Sequence, residues 1–133
     1  MKWYNYDMKS TTVLALMLTA QLAIVHLVAL KLSLYWEIDG FDNLMHLFGG
    51  VALTLLLYTF VDIKMLRSVW VTSKVRVSIL ILIIVIGWEV LGVFINMGLK
   101  ENFTLDTIQD LLFGILGSVI GWFIGRQLKK LEL

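Results

Sequence analysis

Asp42, His46, Glu89, Asp106 and Asp110 stand inside, or at the edges of, long apolar stretches of the chain. An ionisable side chain in a lipid-embedded segment is costly enough to be a functional-site candidate by default. Asp42 and His46 are four residues apart, as are Asp106 and Asp110, so each pair shares one helix face. Three or four carboxylates cannot all stay ionised side by side at low dielectric, so either some are protonated or a cation neutralises them. One imidazole among carboxylates suits a borderline or hard divalent ion: Zn, Mn, Mg or Ca. Such an ion could activate water or hold a phosphate group. A protonated carboxylate beside a histidine would instead be a proton relay, and the residues leave both open. Glu89, Asp110 and His46 are therefore the candidate catalytic groups. Asp42, His46, Glu89, Asp106 and Asp110 are the candidate metal ligands.

The elements that must position these groups follow from composition. Of 133 residues, 59% are hydrophobic and 16% charged, too little polar surface for a small soluble domain. The excess apolar surface must face lipid. Thr11–Leu30, Asn43–Val61, Val77–Leu99 and Thr107–Gly125 are each long enough to cross a bilayer core of roughly 30 Å. Strands are excluded, because four cannot close a barrel and an open sheet edge is not tolerated in lipid. The expected fold is all-α: one transmembrane domain over residues 1–133, a four-helix bundle with helices at about 11–34, 42–62, 75–98 and 105–128. No proline or cysteine is present, which removes proline kinks, disulfides and thiolate ligands. Lys2 and Lys9 precede an apolar run too long for a cleaved signal core, so the first helix reads as a retained anchor.

Basic residues orient the bundle. Lys2 and Lys9 lie in the N-terminal tail, Lys64, Arg67, Lys74 and Arg76 in the middle loop, and Arg126, Lys129 and Lys130 in the C-terminal tail. Lys31 and Lys100 alone fall on the other side, so the tails and middle loop are expected in the cytoplasm. Trp3, Tyr4 and Tyr6 mark one interface and Tyr35 and Trp36 the other. A multi-pass protein of a bacterial or archaeal plasma membrane is the expectation. A net charge of +1 gives no basic face for nucleic acid.

With that orientation Glu89 lies roughly 12 Å inside the outer end of its helix. Asp42 and His46 fall in the first turns of the second span, and Asp106 and Asp110 in the first turns of the fourth. All converge on the outer leaflet, with His26 near the outer end of the first span. Gly114, Gly117, Gly121 and Gly125 continue the face of Asp110, and small residues so spaced let helices approach closely in lipid. That stripe points Asp110 into the bundle; Gly117, Gly121 and Gly125 are also the expected contact for a homo-oligomer. Gly49, Gly50 and Thr54 continue the face of His46, and Gly92 and Asn96 lie near that of Glu89.

Plainer roles compete with the functional ones. Asp42 and Asp106 suit helix N-termini through the dipole. Asn43 and Thr104 could be caps. His26 fits a hydrogen-bonded packing residue, and Gln21 and Gln109 fit interhelical hydrogen bonds. Two histidines raise a haem with two imidazole ligands, but the neighbouring carboxylates argue against a dry haem pocket.

Phe41-Asp42-Asn43-Leu44-Met45-His46, followed by Gly49-Gly50, resembles the F-D-x-x-x-H-x-x-x-G stretch of the YjdF-like family of small bacterial inner-membrane proteins. Glu89 falls where that family has a glutamate. Asp106 to Asp110, with Gly117 beyond, resembles its D-x-x-x-D helix. The order Asp42, His46, Glu89, Asp110, Gly117, Gly121 is also similar to the VanZ-like family, associated with protection against lipoglycopeptides. The resemblance runs from Phe41 to Gly125. It departs at Val93, where the YjdF-like pattern has an acid, and at Gly92 and Gly114, where the VanZ-like pattern has glutamine and asparagine.

These readings lead to a buried carboxylate and histidine cluster that binds a divalent cation or proton. Its expected partner is a membrane lipid, a lipid-linked precursor or another cell-envelope amphiphile, with metal-assisted hydrolysis or transfer as the reaction if there is one. The alternatives are an oligomeric proton- or cation-coupled transporter or channel, and a non-catalytic subunit of a membrane complex. The nearly all-apolar stretches Ile79–Ile86 and Ile115–Ile124 argue against a polar path to the cytoplasmic face.

Overall fold

The computed structural model describes residues 9–94 and 103–131, with side chains described over 9–91 and 105–130. Helix α1 spans Ser10–Lys31, the short α2 Leu34–Glu37, α3 Phe41–Asp62, α4 Lys74–Phe94 and α5 Phe103–Leu131, with no strand among the described residues. Among the described residues three helices, α1, α3 and α5, are long and apolar enough to cross a membrane. Helix α4, of 21 residues, carries Lys74 and Arg76 in its first turn and Glu89 further along. Asn96, Leu99 and the expected end of that helix at 98 lie outside the described residues, as do Trp3, Tyr4 and Tyr6.

The first helix stops short of the expected 34. Ser33 takes left-handed backbone at φ 58°, and Gly40 does so at φ 77° just before α3. A left-handed serine costs roughly 1–2 kcal/mol, and nothing in the local pattern announces it. Tertiary contacts offset that cost. The turn swings Tyr35 back so that its hydroxyl meets His26 Nδ1 at 2.6 Å, while its ring packs edge-on against Phe41 at 5.2 Å.

Helices α3 and α5 run parallel and very close, because glycine on each removes the side chain that would hold them apart. A Cβ at Gly117 would collide with the Leu47 carbonyl, one at Gly50 with the Gly114 carbonyl, and one at Gly121 would sit 2.9 Å from Thr54 Cβ. A Cβ at Gly125 would meet the Tyr58 ring. In lipid, where apolar area gives no drive between helices, such backbone proximity is what packing energy requires. The face carrying Gly117, Gly121 and Gly125 is thus filled by α3 of the same chain.

Helix α4 runs antiparallel to α5: Val85 contacts Gly114, and Ser78 and Ser118 share a hydrogen bond of 2.9 Å. Their shared core holds Tyr58, Val77, Ile81, Val85 and Trp122, all buried. Helix α1 packs antiparallel on α3 through Ala15, Val51 and Leu55. At the far end Trp122 Nε1 donates to the Val71 carbonyl at 3.0 Å, tying the middle loop to α5. There, too, Lys9 and Lys129 both reach Asp62, joining the start of α1 to the ends of α3 and α5. The basic residues of the middle loop and of the α5 terminus share this end, and Asp42, Glu89, Asp106 and Asp110 lie at the opposite one.

Candidate functional site

The parallel pairing of α3 and α5 puts the first turns of both helices at the same level. Asp42 and His46 come from α3 and Asp106 and Asp110 from α5, while α4 delivers Glu89 from the opposite direction. The Gly50, Gly114 and Gly117 contacts lie one to two turns below Asp110 and set the distance between the two helices there.

His46 Nε2 lies 3.6 Å from Asp42 Oδ1, 3.6 Å from Glu89 Oε1 and 3.7 Å from Asp110 Oδ1. Three carboxylates from three helices therefore surround one imidazole nitrogen. These separations exceed a direct hydrogen bond. They match more closely the spacing of donors around a shared ion, since ligands at about 2.0–2.1 Å in a tetrahedral shell stand roughly 3.3 Å apart. Asp42, His46 and Asp110 each offer one donor atom, all within 4.8 Å of one another. Glu89 joins through His46. Side-chain exposure rises from 2% at Asp110 through 12% at His46 and 18% at Glu89 to 23% at Asp42, so the cluster opens on one side.

It opens into a cavity of about 570 Å³ floored by α3 and walled by α1 and α4. Asp42, His46, Glu89 and Asp106 line one end, and Leu22, Leu53, Leu56 and Ile84 line the rest. Asp106 is thereby placed on the cavity. His26 stands apart from the cluster, bonded to Tyr35 and in edge contact with Trp88 at 6.2 Å between ring centres. That is the packing role foreseen for it. Gln21 and Gln109 are both exposed, and neither turns into the bundle as an interhelical bond requires. Gly92 and Asn96, expected near Glu89, and Thr104, expected as a cap, have no described side chains.

Two features were not legible from residue types. The cavity depends on α1 and α4 flanking α3 without packing along each other, a tertiary relation with no local signal. The second is Asp62. As an acid next to a basic loop it was the sign of an ion-paired anchor, which it forms with Lys9, Lys129 and, at 3.4 Å, the Thr11 hydroxyl.

A family model described as a predicted membrane protein (DUF2238) matches residues 2–130, and the chain belongs to that family. No curated protein and no solved structure matches it.

Proposed function

We propose that this chain is a four-span plasma-membrane protein that holds a divalent cation near the outer leaflet and uses it to recognise or act on a lipid-like or cell-envelope ligand. The observation that carries the reading is His46 Nε2 lying 3.6–3.7 Å from carboxylates of three different helices. Three acids drawn from separate helices into one apolar bundle are a high-energy arrangement unless positive charge is shared among them. A divalent ion held by Asp42, His46 and Asp110, with Glu89 beside it, supplies that charge. The donor set of one imidazole and several carboxylates fits Zn, Mn, Mg or Ca.

Membership of a membrane-protein family and three spanning helices support the setting. The fourth span is α4, whose only charge between Val77 and Leu91 is Glu89. Basic residues gathered at the Asp62 end favour a cytoplasmic position for that end. The order of Asp42, His46, Glu89 and Asp110 supports kinship with the YjdF-like and VanZ-like families and a bacterial or archaeal membrane. If the site is catalytic, the ion would polarise an ester carbonyl oxygen, and Glu89, on the cavity side, would take a proton from water.

A transport role fits less well. Between the cluster and the Asp62 end lie Leu55, Val77, Ile81 and Val85, all buried. The hydroxyls there are already engaged, Ser78 with Ser118 and Thr54 with the Ser118 carbonyl.

Calorimetric titration of the full chain in neutral detergent with Zn, Mn, Mg and Ca tests the reading. Stoichiometric binding of at least one ion, lost in a folded His46→Ala variant, is expected. No binding of any of the four by the folded wild type would overturn it.

A further inference from the structure

The cavity beside the cluster is larger than one ion needs, and its chemistry changes along its length. At 570 Å³ it falls in the range of small-molecule sites, roughly 300–1,000 Å³. One end carries the carboxylates of Asp42, Glu89 and Asp106. Beside them stand aromatic rings: Tyr35 contacts His26 at 5.6 Å and Trp36 at 6.3 Å between ring centres, and His26 contacts Trp88 at 6.2 Å. The remainder is aliphatic.

We propose that this groove binds a single-chain amphiphile with an ammonium head, the head among the aromatic rings and carboxylates and the hydrocarbon tail along α3 between α1 and α4. The cavity carries the inference, and the charge selects the head. Among the described residues lining the groove there is no lysine or arginine to meet an anion. The head end presents the carboxylates of Asp42, Glu89 and Asp106 beside the imidazole of His46. A phosphate head would meet repulsion there. A quaternary ammonium is held by aromatic faces as well as by carboxylates. Tail and groove wall are both hydrocarbon, as is the surrounding lipid, so the tail gives access from the membrane and the head gives the discrimination. The inference goes beyond the cation site and stands on a separate measurement.

Gly49 offers the test, because it lines the groove and a Cβ built on it meets nothing within 4 Å. Gly49→Leu puts a branched side chain into the groove from a position whose Cβ meets no neighbour. The full chain in maltoside micelles is titrated with radiolabelled hexadecyltrimethylammonium, with hexadecyl phosphate as competitor. Saturable binding near one per chain is expected, with the phosphate at least tenfold weaker. Gly49→Leu should weaken ammonium binding at least tenfold while its divalent-ion titration matches wild type. Trp88→Leu, at a half-exposed ring, should weaken it about two- to fivefold. Absence of saturable ammonium binding, equal or tighter binding of the phosphate, or unchanged affinity in Gly49→Leu overturns the inference. Ammonium binding without divalent-ion binding would leave it standing and remove the cation reading; the reverse result would do the opposite.

Discussion

Gly117→Ala, paired with Gly49→Ala, probes the contact that brings Asp110 to His46. A methyl at Gly117 would overlap the Leu47 carbonyl, with its carbon at 2.9 Å and Gly50 Cα at 3.2 Å. Carbon atoms rest about 3.5–4.0 Å apart, so α3 and α5 would have to part by at least about 0.6 Å. The obstacle is backbone and cannot rotate away. Metal ligation tolerates about 0.2 Å, so the same shift should cost cation affinity. Overpacking of this kind costs about 1–3 kcal/mol, whereas alanine for glycine in an unobstructed helix gains up to about 1 kcal/mol. Gly49 is unobstructed. The gain is common to both, so the two variants should differ by the overpacking cost, about 1–3 kcal/mol, with Gly49→Ala the more stable. Denaturant unfolding in a mild detergent reads the difference, and a cation titration on the folded fraction reads the site. Equal stability of the two variants, with cation affinity intact in both, would refute the parallel packing of α3 on α5 and the positioning argument built on it.

Cation binding should weaken on acidification, because protons compete for the imidazole and carboxylate donors. A titration series from neutral to mildly acidic pH checks this, and affinity rising as pH falls would contradict it. Asp62→Asn should lower stability by about 1–3 kcal/mol, since it removes the negative charge shared by Lys9 and Lys129 in a partly exposed setting. Cation affinity should be unchanged, as that anchor lies at the other end of the bundle. Tyr58→Phe should cost about 1 kcal/mol, because the buried hydroxyl donates toward the Val71 and Trp122 carbonyls at 3.4 and 3.3 Å. Denaturant midpoints decide both.

Much of the site was legible because its signals are local. The four-residue spacings of Asp42 with His46 and of Asp106 with Asp110 set faces, and the glycines following Asp110 turned its face toward protein. Charge asymmetry placed both pairs and Glu89 at one depth. Depth and face together suffice to bring Asp42, His46, Glu89 and Asp110 into contact. What escaped depends on contacts between distant segments. The break at Ser33 exists because Tyr35 finds His26 and Phe41. The exposed positions of Gln21 and Gln109 follow from helix rotations that apolar neighbours on every side left undetermined. The glycine stripe was read as facing protein, and whether that protein was the same chain or another copy could not follow from one helix.

Anomalous diffraction from crystals grown with Mn or Zn most directly tests the central claim that the carboxylates of α3, α4 and α5 gather around His46 to hold a cation. The account predicts a peak about 2.0–2.6 Å from His46 Nε2 and from carboxylate oxygens of Asp42 and Asp110, absent in crystals of Asp110→Asn. A well-diffracting crystal with no peak there, or with the peak unchanged in that variant, would contradict it.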